Sequence, residues 1–310
     1  MSIRSSLNGR LDAIVDYYLK NYKKMVFIPI AIVIILGASI LYHKYTDVHY
    51  VNEDVSLTGG ISVTVNTNET LSPSYLTNNI SSALGGRSVS VSVLHNQLTG
   101  QTSGYIVTVG GDVNSTLFTQ VASSAFGFKL NSKNSSLDFV SSTLAHSALY
   151  DSIILLGVAF FLVAMVSLFY FRNLPQAFSN IISIVADVIN VVGVMDLAGL
   201  PFSTASIAGI LMLMGYSADR NIILATNILK RKEGSMRYRL AHTIKTSITM
   251  DAAAVLTFLV LFFGTTNQLI QSIAIILVIG VIFDDFTVWI LNGSIQLTGI
   301  HFKPTEEKGA

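Results

Sequence analysis

Apolar residues along this chain gather into six long stretches, at 25–42, 150–171, 178–199, 205–229, 246–265 and 268–298. Each is near the length needed to cross a hydrocarbon core of about 30 Å. Between the first and second lies a segment of a different period. "GGISVTVNT" (59–67) and "RSVSVSVLHN" (87–96) alternate apolar and polar residues as half-buried strands do, and "GYIVTVGG" (104–111) reads as a hairpin partner. "SPSYLTNNISSAL" (72–84) reads as a helix with Ser72 at the N-cap and Pro73 at the first helical position. Asp112 is the expected cap of a second helix running to about 126, and "LDFVSS" supplies a last strand before the second span. The order β-α-β-β-α-β is that of a ferredoxin-like sandwich. The pattern therefore predicts a membrane α-helical bundle of six transmembrane helices, with an α+β domain over 45–148 inserted between the first and second.

Composition identifies the solvent. Of 310 residues, 51% are hydrophobic and 12% charged, and the mean hydropathy of +0.59 suits a bilayer better than water. A net charge of +1 offers no field of one sign to a nucleic acid. The absence of cysteine excludes disulfides, thiol catalysis and thiolate metal sites. Six scattered histidines lack metal-ligand spacing, so neither a metal nor a cofactor is expected.

Lys and Arg set the expected orientation. Arg4, Arg10, Lys20, Lys23 and Lys24 of the 1–24 leader, Arg172, and the loop "KRKEGSMRYRLAHTIK" (230–245) all fall on one side of an alternating six-span chain. The connections "LAGLPFS" and "GTTNQ" on the other side contain neither residue. The positive-inside rule then places both termini, including the 299–310 tail, in the cytoplasm of a cell membrane and 45–148 outside it. The leader and the first run together read as an uncleaved anchor. Asn68, Asn79, Asn114 and Asn134 stand in N-x-S/T sequons, which suits an outward-facing domain. No nucleophile, paired carboxylates or phosphate loop is visible there, and its Gly pairs read as tight turns.

Charges within the apolar runs are the candidate chemistry. In "LMLMGYSADRNIIL" (211–224), Arg220 precedes Lys230 by ten residues, about 15 Å on a helix and so near the midplane. Asp187 lies equally far from Ala177 in the preceding, oppositely running span. A charge in lipid costs about 3 kcal/mol, so an Asp187–Arg220 ion pair is expected. Asp251, Asp284 and Asp285 extend the set. Two roles stand open for these groups, a static clamp between helices or a path for a cation.

The motifs also carry a resemblance. "LTGG" (57–60, with Thr58, Gly59 and Gly60), "FRNLP" (171–175, with Arg172 and Pro175), Asp187, "GYSAD" (215–219, with Gly215, Tyr216 and Ser217), "KTSITM" (245–250, with Thr246) and "DDFTVWILN" (284–292, with Asp284, Trp289 and Asn292) follow one another in register. In this the chain resembles the archaeal SecF branch of the SecD/SecF family, within the resistance-nodulation-division superfamily. The resemblance implies a SecD-like six-span partner. With it the chain would assist a translocon of SecY/SecE type in exporting unfolded secretory proteins, with a proton or ion gradient as the implied drive. It further implies Asp219 as a central membrane carboxylate, with His242, or Lys245 in its stead, as the basic residue opening the fifth span. Arg220 and Asn221 depart from the pattern, standing where a Thr and a second Asp would be expected.

Rival readings meet obstacles in the sequence. A stand-alone transporter of this superfamily would need two six-span halves in one chain or a homo-oligomer. An intramembrane aspartyl protease needs two carboxylates sharing a proton, which Arg220 beside Asp219 opposes, and the Gly-x-Gly-Asp loop is absent. No enzymatic activity is expected.

Overall fold

The computed structural model describes residues 3–46, 55–87, 89–95, 101–111, 113–172, 174–200, 202–231, 233–265, 267–300 and 302. In chain order these form α1 (Ile3–Met25), α2 (Phe27–Thr46), α3 (Val55–Thr58), β1 (Gly60–Asn66), α4 (Pro73–Ala83), β2 (Val89–His95), β3 (Thr102–Gly110), α5 (Ser115–Phe126) and β4 (Ser135–Val140). There follow α6 (Ser142–Phe171), α7 (Leu174–Leu197), α8 (Thr204–Ala225), α9 (Met236–Gly264), α10 (Gln268–Phe286) and α11 (Gly293–Gly299). Single π-helical turns, Thr226–Lys230 and Thr287–Asn292, extend α8 and join α10 to α11. The chain divides into two compact units, one of residues 52–154 with 201–204, the other of the remainder.

The smaller unit holds a four-stranded antiparallel sheet in the order β2-β3-β1-β4. Alternation along β1 and β3 turns Ile61, Val63, Val65, Tyr105, Val107 and Val109 to one face, where Leu76 and Ile80 of α4 and Phe118, Ala122 and Phe126 of α5 close a core. Tyr105 is fully buried, and its hydroxyl accepts from Leu71 N at 2.6 Å, which ties the loop before α4 to the sheet. Ser72 stands at the N-cap of α4 with Pro73 behind it, yet its hydroxyl makes no capping bond. The cap of α5 is Asn114, whose side chain accepts from the N–H groups of Thr116 and Leu117. Asp112, the expected cap, lies outside the described residues, as does the 303–310 tail.

The "LTGG" motif has a backbone explanation. Gly59 and Gly60 both take positive φ, 74° and 145°. A Cβ at Gly60 would stand 2.2 Å from the carbonyl oxygen of Val109. Only glycine lets β1 begin between β3 and β4 at this point, where Gly60 faces Gly110 on one side and Val140 on the other.

Among the described residues five helical stretches are long and apolar enough to cross a membrane, and α1 with α2, bent by 53°, makes a sixth candidate. The π turns are counted within these stretches. This is the make-up of a multi-pass membrane helical protein. The segments α7, α8 and α10 are buried along about half their length, whereas α6 and α9 are exposed along most of theirs. The basic segment 230–245, expected as a loop, is helical from Met236, because Ser235 caps α9 by accepting from Tyr238 N at 3.2 Å and the residues that follow are good helix formers. Gly193 of α7 meets α2, since a Cβ there would lie 2.6 Å from Leu36 Cβ. Near the same contact Ser39 donates to Asp196 Oδ2 at 3.1 Å. At the other end of the bundle Val15, Tyr18, Leu19 and Tyr22 of α1 pack on Leu224, Ile228, Met236, Leu240, Val288 and Leu297.

Candidate functional site

Three central segments and α9 bring their charged residues into one cluster, and Arg220 is its hub. α8 turns Ser217, Arg220 and Asn221 into the bundle, all but fully buried. The Nη1 of Arg220 donates to Asp284 Oδ2 at 2.5 Å, and its Nη2 lies 2.9 Å from Asp251 Oδ2. The same Nη2 donates to Asp285 Oδ1. Tyr216 donates to Asp251 Oδ1 at 2.6 Å, and its ring lies 5.8 Å from the guanidinium carbon. Two nitrogens of one planar fork thus reach three carboxylates carried by two helices, a geometry open to arginine and closed to lysine.

Asp187 joins from α7 through hydroxyl groups. Ser217 donates to its Oδ2 at 2.7 Å, and Thr287 donates to its Oδ1. Its side chain is 1% exposed. The π turn shapes this contact: i→i+5 bonding brings Thr287 and Asn292 onto one face. Both then meet α7, Thr287 at Asp187 and Asn292 at Asn180, the latter at 2.9 Å.

The structure corrects the Asp187–Arg220 ion pair expected from the sequence. The two residues lie within about one turn of each other along the bundle, but Asp187 faces α8 at Ser217, while the guanidinium extends toward α9 and α10. Asp219 does not enter the cluster; one residue from Arg220, about 100° around the helix, it lies exposed on α8. His242, its ring centroid 6.2 Å from that of Tyr238, and Lys245 are exposed on α9. Asp251 and Asp285 were legible only as acids in apolar helices. Their convergence on Arg220 could have been suspected from charge balance, since these spans hold several acids for one midplane arginine.

The other motif residues serve local structure. Arg172 ends α6 in the left-handed conformation, φ 51°, and Pro175 occupies the first turn of α7. Gly215 is exposed on α8, and Thr246 donates to His242 O at 3.0 Å. Trp289 packs against the cluster that receives α1. Thr58 closes α3, and its side chain lies outside the described residues.

The sequons differ in availability. Asn68 and Asn79 are exposed. Asn134 donates its Nδ2 to Lys129 O at 3.1 Å and accepts from Asn131 N, and Asn114 is engaged as a helix cap. Expression through a glycosylating secretory pathway should therefore modify Asn68 and Asn79 and spare Asn134. Glycopeptide mass spectrometry would read this, and full occupancy at Asn134 would contradict it.

Comparison with known proteins assigns the chain. The family described as "Protein export membrane protein SecD/SecF, C-terminal" matches residues 119–300, more than half of the sequence. The chain belongs to the SecD/SecF family. A relative named protein-export membrane protein SecF, from Methanothermobacter thermautotrophicus, is 28% identical over 289 residues, covering 91% of this chain and 94% of its own. The protein of the same name from Methanocaldococcus jannaschii is 28% identical, covering 89% and 95%. A crystal structure of SecDF, a translocon-associated membrane protein from a Thermus species, superposes with a TM-score of 0.76 at 14% identity. That superposition covers 92% of this chain and 38% of the longer one, and at such identity it speaks for the SecD/SecF fold alone.

Proposed function

We propose that this chain is a SecF-type accessory subunit of the protein-export machinery. The observation that carries the reading is end-to-end similarity: two relatives bearing the SecF name are matched over 94% and 95% of their length. In the SecDF chain this fold occupies 38% of the length, and the expected partner of this chain is a SecD-like six-span protein. Subunits of SecY/SecE type, membrane lipid and unfolded secretory chains complete the expected partners. The name these relatives carry is that of an export protein, consistent with a role without catalysis.

The proposed topology is six spans, with α1 and α2 forming the first, both termini cytoplasmic, and the sheet unit a ferredoxin-like domain on the outer side. The absence of Lys and Arg from "LAGLPFS" and "GTTNQ" supports that orientation. Coupling to an ion gradient would reside in the Arg220 cluster rather than at Asp219. One guanidinium with Asp187, Asp251, Asp284 and Asp285, three of these acids buried and Asp285 partly so, is an excess of acid groups, and such an excess is relieved by taking up a cation, most simply a proton.

Affinity purification of the tagged chain from native membranes tests the assignment. A second six-span protein and translocon subunits should co-elute, and elution of the chain alone would contradict it. For topology, cysteines at Glu69 and Glu233, both exposed, should react with an impermeant thiol reagent from opposite sides of sealed cells.

A further inference from the structure

The buried face of α7 carries Gln176, Asn180, Ser183, Asp187 and Asn190, spaced four, three, four and three residues apart. At that spacing they form one continuous stripe, about 21 Å long, from the helix start to one turn beyond Asp187. All five are less than a tenth exposed. Amides from neighbouring helices line the same stripe. Gln296 donates to Asn180 Oδ1 at 3.2 Å and to Asn292 Oδ1 at 2.9 Å, and Asn292 donates to Asn221 Oδ1. Asn221 donates to Ser217 Oγ at 3.2 Å, which in turn reaches Asp187. Polar contact thus runs unbroken from the inner end of the bundle to the carboxylate.

The stripe is polar beyond what its own bonds use. Gln176 Oε1, Asn180 Nδ2, Ser183 Oγ, Asn190 Oδ1 and Gln296 Oε1 are buried without a protein partner. One orphan could be a local imperfection; five along one line are not, because each costs about 1–3 kcal/mol if left unbonded. Water needs two to four polar partners to bind inside a protein, and this line supplies them at every turn. On the other side of the cluster the packing changes character. Beyond Asn190, one turn past Asp187, Val191 and Met195 of α7, Ile210 and Leu213 of α8 and Leu277 of α10 are buried and apolar, and the buried polar side chains further out, Ser206 and Asp196, stand near the helix ends, Asp196 bonded to Ser39.

We infer that a file of bound water molecules occupies the α7 stripe and connects the carboxylate cluster to the inner face only, while the outer half is sealed by apolar packing. In this conformation the acid groups would exchange protons with the side bearing the Lys/Arg-rich segment 230–245. Naming that side the cytoplasm rests on the topology proposed above; the water file itself does not.

Hydroxyl-radical labelling by X-ray radiolysis, on the full chain in lipid nanodiscs, tests this through four buried leucines. Leu224 and Leu291 lie inward of the cluster, and Leu213 and Leu277 outward, each within seven residues of Arg220 or Asp284 and each at most 3% exposed. Radicals form from local water, so Leu224 and Leu291 should be oxidised several times faster than Leu213 and Leu277. Asn180→Leu, which fills the stripe, should bring the inner pair down to the outer rate. Ser183→Ala, which removes one orphan atom with little change of shape, should lower it in part and serves if the larger change fails to express. Equal rates at all four positions, or a contrast unaltered by these substitutions, would overturn the inference. The labelling uses neither export nor an ion gradient, so its failure leaves the co-elution result standing, and the reverse holds too.

Discussion

Arg220→Met should prevent the larger unit from folding stably. The substitution keeps an unbranched stem but removes the guanidinium, and so leaves Asp251, Asp284 and Asp285 facing one another without their shared cation. Removing one partner from a buried ion pair costs about 3–5 kcal/mol, a large part of the net stability of most folded proteins. Arg220→Lys should be only a partial remedy, since an ammonium cannot present the fork that meets Asp284 through Nη1 and Asp251 and Asp285 through Nη2. Combining Arg220→Met with Asp284→Asn and Asp285→Asn should recover much of the loss, because coupled residues are not additive. The yield of monodisperse protein and its thermal unfolding in detergent would measure this. Parent-like yield for the single Arg220→Met variant would show that the cluster does not hold the helices together.

Gly60→Ala is expected to damage the sheet unit as severely. The new Cβ would sit 2.2 Å from Val109 O, and the backbone φ of +145° is one that other residues rarely adopt. Both obstacles are backbone, so relief requires β1 to part from β3 along a register that runs to Asn66–Gly104. A cost of about 3 kcal/mol or more follows. Gly85→Ala is the control, for its Cβ meets nothing within 4 Å and only its φ of +74° opposes the change, about 1–2 kcal/mol. Limited proteolysis of the full chain should cut Gly60→Ala within residues 52–154 under conditions that spare the parent and the control. Equal protection of all three would contradict the close-approach account.

What the sequence made legible was linear. Apolar runs located the long helices because length and composition alone identify them, and period-2 alternation found β1, β2 and β3 within a few residues of their observed ends. A common level along the helices was also readable, since Asp187 and Arg220 do lie in one connected polar network, bridged by way of Ser217 and the neighbouring helices. Direction around a helix was not. A shift of one residue turns a side chain by about 100°, and that separates Arg220 inside from Asp219 outside. Which face turns inward is decided by α7, α9 and α10 together, and no single helix declares it. The cap of α5 fell to Asn114 rather than Asp112 for a similar reason: two capping residues stand two positions apart, and the start of the helix is settled by packing of Phe118 and Ala122. The 4-3-4-3 stripe on α7 was in plain view, yet its meaning rests on burial.

The account places the coupling chemistry of a SecF-type export subunit in the buried cluster and denies it to Asp219. Asp284→Asn and Asp219→Asn, each in the otherwise native chain, separate the two positions by a single comparison: gradient-dependent export of a secretory reporter in cells, with partner co-elution measured alongside. Asp284→Asn leaves Arg220 with Asp251 and Asp285, so assembly should persist while export falls steeply; Asp219→Asn should assemble and export like the parent. Full export by Asp284→Asn, with loss of export confined to Asp219→Asn, would contradict it.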